Sequence, residues 1–338
     1  MGTTDRIRKY ETMALSHTRP ESSLLQWLLD SDPAIRWQVL QDLVDAPPGE
    51  VAAERRRVAT EGLGAQLLHM QEPAGTWGGA AWNRGWNSTM HVLMLLQDFG
   101  LDPASEQARR ALSLVRENVT WQGWEAYEGN RFFAGEVEPC INGQVAAAGA
   151  YFGEDVRGIT DRLLTEQLAD GGWNCEAQNG STRSSFHTTI CVLEALLEYE
   201  RRFGDQPGVS AARLRGEDYL LERHLFHRLS TGAAIPVDRK TGIGSDSRQP
   251  AFTRFAFPGW WHYDVLRGLE YFRRANRAYD ERMAEALALV ESKRRSDGRW
   301  SLDVQYPGTM PVDLDAGEGL PSRWVTLRAL RVLKRYAS

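Results

Sequence analysis

Residues 170–197, DGGWNCEAQNGSTRSSFHTTICVLEALL, decide the fold of this chain. In Asp170-Gly171-Gly172-Trp173 the glycines can take the positive φ that closes a helix, and the indole behind them is large enough to wedge between neighbouring helices. From 187 to 199 apolar residues recur three and four apart, with no β-type alternation. The unit is helix, Gly-Trp turn, polar linker, helix. AGTWGG at 74–79 and SDGRW at 296–300 repeat the turn, and WQGWE at 121–125 is a looser version. Helix-like segments precede the turns (65–71, 110–117, 159–167, 282–293), and the apolar inner segments read as 87–99, 140–152, 187–199, 261–272 and 324–336. The reading is all-α.

At 338 residues, length alone suggests about two domains, but a repeat through most of the chain points to one, because a single repeat cannot bury its own apolar face. Residues 1–20 read as disordered and 21–60 as a helical lead-in, in which Asp32 caps and Pro33 opens a second short helix. Residues 61–338 form the repeat domain. The stretch 230–250, rich in Gly, Pro, Ser and charge, breaks the period and suggests a lid over a cavity. A net charge of -5 and a pI near 5.9 give no basic footprint for nucleic acid. No apolar run reaches the roughly 18 to 20 residues that span a bilayer, and no signal-peptide core opens the chain, so the expected location is cytoplasmic. Three cysteines, an odd number, read as thiols or metal ligands rather than a disulfide framework.

Aligning the inner segments on their apolar pairs, Val92-Leu93, Val145-Ala146, Val192-Leu193 and Val265-Leu266, puts Asn87, Cys140, His187 and Trp260 at one position near the helix start. Adjacent repeats then bring Cys140 and His187 to the same mouth, and Cys175 lies in the linker entering the His187 helix. Two thiolates and an imidazole are ligands zinc takes, with a fourth place left for water or substrate. Glu138 could supply an oxygen. The competing reading is that these residues are packing, as Cys191, one turn deeper than His187, is expected to be.

The helix pairs with Gly-Trp turns resemble the α/α toroid of squalene and oxidosqualene cyclases and protein prenyltransferase β subunits, over roughly residues 60–338. LLHMQEPAGTWGG (67–79) and LLTEQLADGGWN (163–174) look like the glutamine-tryptophan repeats of that superfamily, while ESKRRSDGRWS (291–301) lacks the glutamine. Glu138-Pro139-Cys140 and Phe186-His187-Thr188 are similar to the acid-x-Cys and aromatic-His-Thr zinc ligands of the prenyltransferase side. The resemblance carries over Cys140, His187 and, as a Glu for an Asp, Glu138; Cys175 is an addition. The cyclase acid motif has its nearest counterpart in VDLDAGEG (312–319), with Asp313 and Asp315 but Ala316 in place of the last Asp. Residues 252–272 and 319–336 resemble uncharacterised bacterial prenyltransferase/squalene-oxidase-repeat proteins.

These readings lead to an α/α toroid with an apolar, aromatic-lined central cavity whose mouth holds zinc on Cys140, Cys175 and His187. His262 and Asp264 are the candidate acid/base pair. Arg254, Arg267 and Arg323 are candidates for an anionic group. The expected function is an enzyme acting on an apolar, isoprenoid-like small molecule. Two alternatives stay open: a non-catalytic binding protein with structural zinc, and a class II terpene cyclase-like enzyme using Asp313 and Asp315.

Overall fold

The computed structural model describes residues 22–83, 85–122, 128–204, 206–235 and 252–336, and the backbone of 239–240 and 248–249. The disordered reading of 1–20 and most of the lid at 230–250 lie outside the described residues. The architecture is all-helical. In chain order the helices are α1 (Ser22–Leu29), α2 (Pro33–Asp42), α3 (Pro48–Arg56), α4 (Gly62–His69), α5 (Thr89–Phe99), α6 (Glu106–Asn118) and α7 (Pro139–Phe152). There follow α8 (Arg157–Thr165), α9 (Phe186–Phe203), α10 (Pro207–Glu222), α11 (Val265–Arg274), α12 (Ala284–Ser292) and α13 (Arg323–Tyr336). The only strand among the described residues is a two-residue antiparallel pair, Arg239–Lys240 with Arg248–Gln249. No described helix is long and apolar enough to cross a membrane.

The Gly-Trp turns act as staples. The indole N–H of Trp77, Trp173 and Trp300 donates to the carbonyl of Leu67, Leu163 and Val290, each at 2.7 Å, so each ring ties the linker to the helix before it. Each tryptophan's backbone N–H donates to a threonine in the next inner helix: Thr89, Thr189 and Thr326, at 3.0–3.1 Å. Gln71 and Gln167 close their turns by donating to Gly75 and Gly171 carbonyls. The third turn has Arg294 in place of glutamine, and that arginine lies over the Trp300 ring and pairs with Glu291 at 2.9 Å. Trp121 differs: its indole donates to Phe132, on which it also stacks. The rest of that looser turn, 123–125, lies outside the described residues.

Four of the inner segments form helices within two residues of their expected starts. The exception is 261–272, where the helix begins only at Val265. Asp264 caps it, accepting from Arg267 N–H at 2.8 Å, and Trp260 before it sits at φ 48, which no helix allows. Helix α10 escapes the repeat pattern because no Gly-Trp turn announces it. It nevertheless buries Val209, Ala212, Tyr219 and Leu220.

Inner helices touch in the order α2, α5, α7 and α9, and α11 touches α13, which returns to α2. Between α9 and α11 the link is polar: Arg267 pairs with Glu194 at 2.7 Å, and Tyr263 N–H donates to His187 Nδ1 at 2.8 Å. Helices α4, α6, α8, α10 and α12 each pack against one or more of these helices. Helices α7 and α9 approach closely: a Cβ on Gly143 would stand 2.6 Å from the Cys191 carbonyl oxygen. Only glycine permits that contact, and it holds the start of α7, with Cys140, against the α9 side.

Candidate metal centre

The start of α7 presents Glu138 at the N-cap, Pro139 at the first helical position and Cys140 behind it. Glu138 makes no side-chain cap bond, so its carboxylate is available to turn elsewhere. Asn142 braces the approach, accepting from Glu136 N–H and donating to the Glu136 carbonyl, both at 2.8 Å. Glu136 in turn accepts from Glu138 N–H at 2.8 Å, and its carboxyl is pushed up to about 7, chiefly by burial. Cys175 opens a short 3-10 turn (Cys175–Asn179) capped by Asn174, and its N–H reaches Thr188 Oγ1 at 3.4 Å.

These two supports bring Cys140 Sγ to 3.0 Å from Cys175 Sγ and 3.6 Å from Glu138 Oε2. Glu138, Cys140 and Cys175 form a group that can hold a metal ion, their ligand atoms all within 4.8 Å of one another. The group is partly open: Cys140 is buried, while Glu138 and Cys175 are half-buried. The Cys140 thiol is held well above the usual range, first by its contact with Cys175 and then by burial. All three cysteines are free thiols.

Two soft thiols and one carboxylate, all acids facing one another, suit zinc as a donor set. Two 2.3 Å zinc–sulfur bonds at a tetrahedral angle would set the sulfurs about 3.7 Å apart, so binding requires them to part by under about 1 Å.

His187, expected as the third ligand, stands outside this group. Its ring lies against Phe252 and Trp261, and its Nδ1 accepts the Tyr263 N–H. A neutral imidazole that accepts at Nδ1 carries its proton on Nε2, so it presents no second lone pair to a metal. Metal-ligating histidines ordinarily donate from their other nitrogen instead. Cys191 is packing, as expected: fully buried, its thiol donates to the Trp261 carbonyl, and burial raises it to about 12.

The shared position at the helix start holds for Asn87, Cys140 and His187, each two residues before a side chain that bridges to the preceding segment (Thr89, Asn142, Thr189). By the same criterion α11 contributes His262, two before Asp264, rather than Trp260. Asp264 spends its oxygens on the N–H groups of Arg267 and Ala256, and burial raises it to about 6. The His262 ring is sandwiched between Trp261 and Tyr306, with centroids 3.6 Å away on either side. Burial lowers its pKa to about 2, with the nearby charges of His187 and Arg267 adding to the effect. Asp315 accepts from Ser322 Oγ and Arg323 N–H at the start of α13, while Asp313 is exposed.

A separate cavity of about 360 Å³ lies among the middle and C-terminal turns of the inner helices. Its lining corrects two expectations. It is charged rather than apolar, and Cys140, Cys175, His187, His262, Asp264, Asp313 and Asp315 are all absent from it. Glu194, Glu198 and Arg201 on α9 and Arg267, Glu270 and Arg274 on α11 recur at helical spacing and face the space. The apolar pairs, such as Val192-Leu193, are instead buried where helices press on one another. Arg267 pairs with Glu194, Arg201 and Arg274 with Glu198, and Arg273 and Arg331 with Glu270. Burial alone would raise Glu270, but Arg331 and then Arg273 bring it down to about 2.

Of the arginines proposed for an anion, only Arg267 lines the cavity. Arg254 pairs with Glu318, and Arg323 lies over the Trp27 ring. Trp260 lines the cavity and stacks on Trp86 at 4.8 Å, with His91 edge-on to both. The charged stripe is present in the sequence as acid and arginine three, four and seven apart.

No family model matches the chain, and no curated protein matches it. Among solved structures the chain is similar to one described as the crystal structure of a protein from Actinoplanes, at 16% identity and a TM-score of 0.44, over 94% of this chain and 100% of that one.

Proposed function

We propose that this chain is an α/α-toroid protein that holds one zinc ion through Glu138, Cys140 and Cys175, with its fourth coordination position left to a ligand from outside the chain. The observation that carries the reading is the convergence of two sulfurs and a carboxylate from separate segments within 4.8 Å. The toroid part is supported by the run of inner-helix contacts from α2 to α9 and from α11 through α13 back to α2. Zinc on three protein donors would supply Lewis acidity at the position left over.

The chain's own residues prepare that site. Pro139 and the Asn142–Glu136 clasp fix the turn that carries Glu138 and Cys140. Thr188 orients Cys175 through its backbone N–H and lies 3.4 Å from its sulfur. Next to Thr188, His187 packs its ring against Phe252, Trp261 and His262, the two imidazoles 5.7 Å apart. A substrate reaching the zinc would approach through the half-exposed side of Glu138 and Cys175, outside the central cavity.

The test is zinc content by mass spectrometry on protein purified under reducing conditions, with thiols counted in parallel. The reading expects close to one zinc per chain, lost in Cys140→Ala and Cys175→Ala, reduced in Glu138→Ala and retained in His187→Ala. A zinc-free protein that refuses added zinc, or one whose Cys140 and Cys175 are found as a disulfide, would refute it.

A further inference from the structure

We infer that the central cavity is a binding site for a small organic dianion, a phosphate monoester or a dicarboxylate with a compact apolar body. This site is independent of the zinc reading, since no residue of the Glu138–Cys140–Cys175 group lines the cavity.

Arginines 55, 201, 267, 273, 274, 328 and 331 line the cavity, against carboxylates 42, 98, 194, 198 and 270, so the formal balance is 7 − 5 = +2. The excess has a location. Arg55 has no carboxylate partner among the described residues; it donates to the Gly100 carbonyl and the Tyr151 hydroxyl and lies over the Trp37 ring. Arg328 reaches Asp98 only at 3.6 Å, beyond hydrogen-bond distance, and lies over Phe257. The other guanidiniums are held by closer acids, which sets their planes but leaves these two to receive an anion.

Unmet hydrogen bonds point the same way. Two lining residues, Arg331 and Gln144, only 8% and 4% exposed, each carry a buried polar atom with no partner, Nε and Oε1. A buried donor or acceptor left unpaired is costly, and a bound anion carrying a hydroxyl or protonated oxygen would satisfy both. Burial also lowers Arg331 and Arg201 below the ordinary arginine value, and the neighbouring guanidiniums of Arg273 and Arg274 add to the effect.

The size and walls narrow the class. About 360 Å³ admits a metabolite-sized molecule and excludes a long chain. Trp37, Trp260 and Trp324 supply apolar wall for a compact body, and bidentate guanidinium geometry suits phosphate and carboxylate oxygens alike.

The experiment is titration calorimetry with phenyl phosphate, succinate and, as the neutral control, phenol. The wild type, Arg55→Gln, Arg328→Gln, Cys140→Ala and the surface control Arg157→Gln are compared, each checked for folding by circular dichroism. We expect one-site binding of phenyl phosphate, succinate or both, with the preferred probe naming the source of the charge, and no binding of phenol. Affinity should fall at least tenfold in folded Arg55→Gln and Arg328→Gln and stay unchanged in Cys140→Ala and Arg157→Gln. No binding of either dianion at millimolar concentration, binding untouched by both arginine variants, or phenol binding as well as phenyl phosphate would overturn the inference.

Discussion

The two ends of the inner-helix assembly differ in how they treat charge. Around the starts of α7 and α9, acids meet acids: two thiols and a carboxyl converge, while His187 and His262 pack on Trp261 at the starts of α9 and α11. Around the C-terminal turns, every buried carboxylate has an arginine, and arginine is in excess. The first arrangement lacks only a cation, the second only an anion. A single assembly of helices thus offers opposite chemistry at its ends, with the Trp86–Trp260 stack between them.

Removing a carboxylate should therefore have opposite consequences at the two ends. Glu270→Ala leaves Arg331 and Arg273 to share Asp42, at 3.2 and 3.7 Å, and is expected to cost about 3 kcal/mol. Glu138→Ala in metal-free protein removes a carboxyl whose only side-chain partner among the described residues is the Cys140 thiol and should cost under about 1 kcal/mol. Denaturant unfolding of both variants checks this. Equal losses would erase the contrast.

Acid sharpens it further. Burial lowers His91 from its ordinary 6.5 to about 3, so below pH 6.5 the unfolded chain takes a proton that the folded ring refuses. Its contribution is full above pH 6.5 and is lost as pH falls. Glu270, lowered from 4.5 to about 2, keeps its contribution down to pH 4.5 and loses it only below that. Between pH 7 and 5, then, only the aromatic end weakens. Burial raises Glu136, Asp264 and Asp315, which moves the whole-protein curve the opposite way, so the readout is a difference between variant and wild type. From pH 7 to 5, the stability change of His91→Gln should be more favourable than that of wild type by about 2 kcal/mol. Parallel curves would mean the ring already carries its proton in the folded chain.

A smaller effect tests the staple common to the repeats. Thr189→Val removes the hydroxyl that receives the buried Trp173 N–H and should cost about 1–2 kcal/mol, read by thermal unfolding. A matching loss in Thr326→Val, at the Trp300 turn, is expected because the geometry is the same.

Much of this is legible in the amino-acid sequence. The Gly-Trp turns announce the staples because their chemistry is local: a glycine at positive φ and an indole reaching back ten residues. Glu138, two residues before Cys140, and Cys175 in the next linker stand out as ligands for the same reason. His187 looks like a ligand in the sequence because what occupies its Nδ1 is the backbone of Tyr263, on another helix pair, which no local pattern reveals. The sequence suggests an apolar cavity because the inner helices are rich in hydrophobic pairs, yet they bury those pairs against each other and leave a charged stripe to face the middle. That stripe is present at helical spacing in Glu194, Glu198 and Arg201, where it has the look of a solvated face.

The central claim is that a metal is held at the helix-start end by two thiolates and Glu138, with His187 outside. Cobalt(II) substitution tests it most directly, because thiolate-to-cobalt absorption in the near ultraviolet reports sulfur ligands and the visible bands report geometry. The account predicts a tetrahedral cobalt spectrum whose thiolate band is roughly halved or lost in Cys140→Ala and in Cys175→Ala and is unchanged in His187→Ala. A thiolate band that collapses in His187→Ala, or one that never forms, would contradict it.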